Sequence, residues 1–450
     1  MTAGHRLSLR ILVVAGREPW PLNSGGRLRL YNFLRWLARD ADVTLALPGP
    51  AQHAAELPPE LRLLDMSATP LNSRSTSVPP RNWVMHRVRQ HFGHNPVVSS
   101  WLARHARPGQ YDVALLYGAV TGQYVDAIRI PTVWDAVDEL VLYTLRDAAW
   151  RGPRHWLKAA RAAMLYAAFE RNVARRARFT VYASSVDASY ARRWAGGARV
   201  VTISNGVDFD YFQGGEEAPE RGVIAFVGAL NFPPNVEAVF RFSNRVWPRL
   251  HNGHRDRRFL IVGREPVPEV QRLSHLDGVE IHADVPDVRP YLTRATAIVV
   301  PTRLGGGVKN KVLEACAMGR AVVASQRALA GLTARRGSDV LCAANAAGWI
   351  RHVSHLLNSP DKAETLGQSG RKWVRQAHDW PSLARRLASL LTSAAVQRHD
   401  RQTSPTPDRH TGPTNVVPRR STAQWDDSTP RKLTAPRPRS SRHRQEVACH

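Results

Sequence analysis

Three glycines, two lysines and a glutamate fall within one short stretch: Gly305, Gly306, Gly307, Lys309, Lys311 and Glu314, in PTRLGGGVKNKVLEACAMGRAVVAS (301–325). A glycine run lets the backbone approach a ligand with no Cβ in the way, and a helix that follows it offers unpaired N–H groups and the positive end of its dipole. An anion is the expected guest. Lys309 and Lys311 fall in the first turn, where positive side chains oppose the dipole by ~0.3–1 kcal/mol. A diphosphate held between them offsets that cost. Glu314 lies three residues after Lys311, on a neighbouring part of the same helical face, among the apolar Val312, Leu313, Ala315, Cys316 and Ala317. A carboxylate there can accept from two sugar hydroxyls. The same two residues could equally form an ordinary i,i+3 surface ion pair contributing ~0.2–0.5 kcal/mol. The glycines, both lysines and the glutamate taken together favour a nucleotide-sugar site.

A second stretch with chemical potential is TVWDAVDEL (132–140), where Asp135 and Asp138 stand at the end of a predicted buried strand. Ligands bind at the C-terminal ends of parallel strands, and a carboxylate there could take a proton from an acceptor hydroxyl or orient it. Asp138 could also simply cap the helix that follows.

At residues 301–325 the chain resembles the C-terminal half of family-4 glycosyltransferases, which have the two-domain GT-B fold. It looks closest to the branch that acts in exopolysaccharide assembly, whose helix reads much like GVKNKVLEACAMGRAVVAS. The resemblance implies that the helix binds a nucleoside-diphosphate sugar, UDP- or GDP-linked. Gly307, Lys309 and Lys311 would then hold the diphosphate and Glu314 the ribose. The wider family carries a second glutamate eight residues before that one, near the donor sugar; here the position is Gly306. The likeness also places the Gly25-Gly26 pair of the loop REPWPLNSGG against the donor phosphates, a pair that on its own reads as a plain turn. It places Val285, in HADVPDVRPYL (282–292), beside the nucleobase. It implies a retaining reaction with no bound metal and no cofactor, and an Asp-rich motif like that at Asp135 and Asp138 recurs in the branch.

The elements that must position these residues follow an α/β rhythm. Apolar, β-branched runs at Leu9–Gly16, Asp42–Leu47, Leu61–Met66, Asp112–Tyr117, Thr132–Val137 and Phe179–Ala183 alternate with helical stretches, the first a helix from about Arg27 to Arg39. This pattern predicts a doubly wound parallel sheet. After the turn pair Asn205-Gly206 the rhythm repeats, with strands at Val223–Val227, Phe259–Val262, Val279–Ile281 and Thr296–Val300. The expectation is GT-B: two Rossmann-like parallel-sheet domains facing a cleft, residues 1–205 for the acceptor and 206–380 for the donor. A crossover helix (381–396) and a disordered basic tail (397–450) follow. The basic stretch Arg81–Phe92, with Trp83, Met85, His86 and Phe92, suits either a membrane-facing, lipid-acceptor surface or a helix with an arginine-rich solvated face.

Composition narrows the partners. The chain of 450 residues carries a formal charge of +26, and 57 of its 63 basic residues are arginine. Such a field favours phosphates, anionic lipid headgroups or nucleic acid without choosing among them. No zinc-finger spacing or RNP-type motif accompanies it, so nucleic acid is not expected. Three unclustered cysteines and the lack of a signal peptide or membrane span predict a cytoplasmic protein, able to sit peripherally on a membrane's inner face. Two rival readings stand beside glycosyl transfer to a glycan or lipid-linked acceptor: a nucleotide-sugar epimerase on a GT-B scaffold, and a non-catalytic polyanion- or membrane-binding protein with a degenerate sugar site.

Overall fold

The computed structural model describes residues 9–68, 81–214, 218–304 and 307–403. Thirteen strands are present among them: β1 Arg10–Ala15, β2 Asp42–Leu47, β3 Arg62–Asp65, β4 Val113–Tyr117, β5 Thr132–Val137, β6 Phe179–Tyr182, β7 Val200–Thr202, β8 Glu220–Val227, β9 Arg258–Gly263, β10 Val279–Ala283, β11 Ala295–Val300, β12 Ala321–Ser325 and β13 Leu341–Ala343. They form two sheets, ordered β3-β2-β1-β4-β5-β6-β7 and β10-β9-β8-β11-β12-β13. Every pairing within them is parallel. Each sheet steps outward one way from its first strand and then reverses, between β1 and β4 and between β8 and β11. Such reversals open a crevice at the carboxyl ends of the strands, where ligands sit in doubly wound sheets.

The central strands are buried on both faces, and this is why they read as unbroken apolar runs: Ile11 to Val14, Val113 to Leu116, and Ala295 to Val300 are all 6 % exposed or less. β13 had no counterpart in the sequence reading. It is three residues long at a sheet edge, too short for a periodic signal.

The helices report where local chemistry set the ends. The first runs Gly25–Asp40 and begins two residues earlier than its apolar face suggests. Ser24 caps it by accepting from the Arg27 N–H, so Gly25 and Gly26 belong to its first turn and not to the preceding loop. The basic stretch forms the helix Trp83–Phe92, capped by Asn82 and stopped by Gly93 at φ 69°. The C-terminal helix, Trp380–Thr403, returns to the first sheet: Trp380, Leu383, Leu387 and Leu391 pack with Phe33, Leu34 and Leu37 in one core. Its backbone continues past the expected end at 396, to Thr403. Residues 404–450, for which disorder was expected, lie outside the described residues, as do Gly305 and Gly306.

Candidate functional site

The helix after β11 spans Asn310–Ala317, with Lys309 as its N-cap residue. Val312, Leu313, Ala315, Cys316 and Ala317 are wholly buried, so this helix is fixed by packing on three sides and turns its remaining face to a cavity of about 660 Å³. Lys309, Asn310, Lys311 and Glu314 line that cavity from the second sheet's side, and Ser24, Gly25 and Asp138 from the first.

Lys311 is not a surface lysine. Its ammonium donates to Asn235 Oδ1 at 2.6 Å and lies 4.6 Å from the centroid of the Phe226 ring. Gly228 makes room for it: a Cβ there would lie 2.7 Å from Lys311 Nζ. Burial, helped by the charge of Lys309, pushes the Lys311 ammonium down to about 7. Burial likewise pushes Glu314 up to about 7, against the pull of Lys311. The two form no ion pair and the Glu314 carboxylate takes no hydrogen bond among the described residues, so the surface-pair alternative does not describe them. A cationic ammonium held on an uncharged acceptor and a carboxylate with open lone pairs both face one cavity.

The two aspartates part company. Asp135 is fully buried, its Oδ2 taking the Arg29 Nε–H at 2.9 Å and its Oδ1 the Val137 N–H at 3.2 Å. It touches neither cleft cavity. Arg29 carries the pair onward, donating to Ser204 O and Asn205 Oδ1 at 3.0 and 3.1 Å. Asn205 in turn donates to Asn310 Oδ1 at 2.9 Å, and its carbonyl meets the ring of His378 at 2.7 Å. One chain of polar contacts thus ties β5, the first helix, the crossing segment and the Asn310–Ala317 helix.

Between the aspartates the pairing of β5 with β6 slips a residue and Val137 takes φ 69°, a conformation costly for a β-branched side chain. That kink sends Asp138 into the cleft. It does not cap the next helix; Glu139 does, accepting from the Leu142 N–H. A Cβ on Gly307 would lie 2.5 Å from Asp138 Oδ1, so the glycine loop and this carboxylate meet across the cleft. Gly307 itself sits at φ 65°, which favours glycine. Burial raises the Asp138 carboxyl despite the attraction of Lys309 and Arg29, and burial lowers Lys309 despite Asp138. Asp138, Ser24 and Tyr143 also line a second cavity of about 600 Å³, over the ends of β1, β4 and β5. Asp138 therefore stands on the wall shared by two cavities, one lined from both sheets and the other from the first sheet alone.

Gly25 faces Asn310 closely enough that a Cβ would be 3.4 Å from its Nδ2, while Gly26 accepts from the Tyr117 hydroxyl at 2.6 Å. The structure brings Gly25, Gly307, Lys309, Lys311, Glu314 and Asp138 together. It does not bring in Val285, which is half-buried against the second core and lines neither cavity. Sequence reasoning missed Arg29, Asn205, Asn235, Asn310 and Arg146. Arg146 lines the first cavity and lies 3.8 Å from Asp187, whose carboxyl burial and Asp138 push up to about 7. Only Asn310, inside the glycine-lysine stretch, carried a local signal. Among the described residues no group of His, Cys, Asp and Glu is placed to hold a metal ion.

Two Rossmann-like sheets with a ligand cleft between them define the GT-B class of fold, and solved structures agree. Sucrose-phosphate synthase from Thermosynechococcus elongatus matches with a TM-score of 0.63 at 16% identity, over 88% of this chain and 100% of that one. HepE of Anabaena in complex with UDP and glucose matches at 0.58 and 13%, over 86% and 100%. A TarM variant of S. aureus in complex with fondaparinux, alpha-GlcNAc-glycerol and UDP matches at 0.61 and 8%, over 85% and 99%. At these identities the likeness is one of fold. Residues 221–359, which include the Asn310–Ala317 helix, match the family model described as glycosyl transferases group 1. No curated protein matches the chain.

Proposed function

We propose that this protein transfers a sugar from a nucleoside-diphosphate sugar to a glycan or lipid-linked acceptor, with retention at the anomeric carbon. The observation that carries the proposal is the position of Asp138 between two cavities, one bearing Lys309, Lys311 and Glu314 and the other bare of them. The group 1 match over 221–359 and the complexes of HepE and TarM with UDP support a nucleotide-sugar donor. In this reading Lys309, Lys311 and the helix N-terminus take the charge that develops on the leaving diphosphate, and Glu314 accepts from the ribose hydroxyls. Asp138, its carboxyl raised by burial, orients the acceptor hydroxyl and accepts its hydrogen bond. Asp135 holds Arg29 and the cleft framework and touches no substrate. A second cavity of acceptor size favours transfer over epimerisation, which needs no second substrate.

The acceptor can reach the site from a membrane. The helices Trp83–Phe92 and Trp156–Arg176 pack together, Phe92 stacking on Tyr166, and they leave Trp83, Leu157 and Met164 about two-thirds exposed, with Arg87 against Trp83 and the exposed Arg154, Lys158 and Arg161 along the segment of the other two. Aromatic and aliphatic tips amid cations are what an anionic lipid interface accepts. No helix among the described residues is long and apolar enough to cross a membrane.

The test is to titrate UDP, UMP and uridine, or the guanosine series, into the wild type, Lys311→Ala and Glu314→Gln. Lys311→Ala should lose about tenfold to a hundredfold in affinity for the diphosphate and less for UMP or uridine. Glu314→Gln should weaken all three ligands by a similar factor. Equal affinities throughout would sink the assignment.

A further inference from the structure

A third concavity, of about 570 Å³, lies outside the donor and acceptor cavities, where β11, β12 and β13 end and the helix Ala346–Asn358 begins. Arg241, Arg245, Arg303 and Arg327 line it, and no acidic residue does. In a chain with 57 arginines a cluster alone means little. Three observations set this one apart.

Arg241 and Arg303 both donate to the same oxygen of Glu237, at 2.9 and 2.6 Å, so one carboxylate serves two guanidinium groups. Arg245 and Arg327 are exposed, and neither forms an ion pair among the described residues. Arg241 is only 14% exposed at its side chain and feels the repulsion of Arg303 and Arg245, a cost that a bound anion would remove. Finally, the concavity opens at carboxyl ends of strands in the same sheet as the donor site, the edge at which such sheets bind ligands. The charge of Arg327 is also felt at Lys309 and Arg146, on the wall of the donor cavity.

We propose that Arg241, Arg245, Arg303 and Arg327 form a second anion site that takes a phosphate or diphosphate group, distinct from the donor diphosphate site. The group can be a free anion or the phosphate of a sugar ester; guanidinium forks bind either bidentately. The proposal does not rest on the transfer reaction.

Calorimetric titration of the full chain with inorganic diphosphate and, separately, with glucose 1-phosphate tests it. The wild type should bind two diphosphates. Arg245→Gln with Arg303→Gln should lose one of them, its affinity falling about tenfold or more, while Lys311→Ala loses the other. Arg245→Lys with Arg303→Lys, which keeps the charge and loses the forks, should bind more tightly than the glutamine variant and less tightly than the wild type, showing that charge and not fold was removed. The melting temperature of the glutamine variant checks the same point, since both side chains are exposed. Glucose 1-phosphate binding that depends on the same arginines assigns a sugar ester; diphosphate binding alone assigns a free anion. A single wild-type diphosphate site that only Lys311→Ala removes, or two sites unchanged in the glutamine variant, overturns the proposal.

Discussion

Lys311 and Glu314 are partly buried charged groups whose costs run in opposite directions with pH. The Lys311 ammonium is held near 7 in the folded chain against an ordinary value of 10.5, so between about 7 and 10.5 the unfolded chain binds more protons and stability rises with pH. Glu314, raised to about 7 from 4.5, binds its proton more tightly when folded, so its contribution falls as pH rises from 4.5 to 7. Together they put the least stable point of the ligand-free pair near neutrality. Lys311→Met should therefore stabilise the ligand-free chain at pH 7, by an amount on the order of 1 kcal/mol or more, with the advantage fading as pH approaches 10.5. Melting temperatures of wild type and variant across that range check the sign. The aspartates separate by the same logic. Asp135→Asn strips the partner from a wholly buried guanidinium and should cost about 3–5 kcal/mol of stability, seen in denaturant unfolding. Asp138→Asn should melt near the wild-type temperature and bind donor normally, yet slow turnover with acceptor. Wild-type turnover in that variant would remove Asp138 from the reaction.

One glycine sets how closely the crossing segment and the last helix approach. Gly206, in the crossing segment, has no room for a side chain: a Cβ would lie 2.6 Å from the Trp380 ring and 2.9 Å from the His378 carbonyl. Gly206→Ala should push the start of the Trp380–Thr403 helix from its seat on the first sheet and cost about 1–3 kcal/mol, measurable by thermal unfolding. Its neighbour Asn205, which reads in sequence as half of a turn pair, is instead a buried junction between Arg29, Asn310 and His378. The Gly25–Asp40 helix shows a similar reversal. Its paired glycines open a capped helix, and Tyr117 holds the second by its carbonyl.

At the scale of the molecule, both sheets turn their strand ends toward one cleft, and the Trp380–Thr403 helix ties the end of the second unit to the first. The exposed Trp83, Leu157 and Met164 lie on the half of the chain that carries the first sheet, and Arg154, Lys158 and Arg161 are exposed along the same segment as Leu157 and Met164. If that face meets the membrane, binding to phosphatidylglycerol vesicles should fall steeply as salt is raised, because the attraction rests on exposed cations screened within about 10 Å at 0.1 M. Replacing Leu157 and Met164 with serine should weaken the residue of binding that survives salt. Flotation of vesicles with the full chain checks both, and binding insensitive to salt would point to another mode.

The sequence by itself determined what local patterns can determine. Alternating apolar strands and helices dictate two parallel sheets, because a strand buried on both faces must be apolar throughout. The spacing of Lys309, Lys311 and Glu314 after a glycine run places them on one helix end, because helical geometry is local. The tertiary structure decided the rest. Arg29 meets Asp135 across 106 positions and Asn205 meets Asn310 across 105, separations over which no propensity or periodicity speaks. Two aspartates three residues apart were both candidates for the acceptor hydroxyl in sequence; one is locked inside and the other reaches the cleft because of a single slipped pair between β5 and β6 at Val137. Whether Lys311 and Glu314 were a surface pair or a buried site depended on Gly228, Phe226 and Asn235, more than seventy residues away in sequence, closing over the lysine. Burial is a property of what packs above a residue, and only the folded chain supplies that.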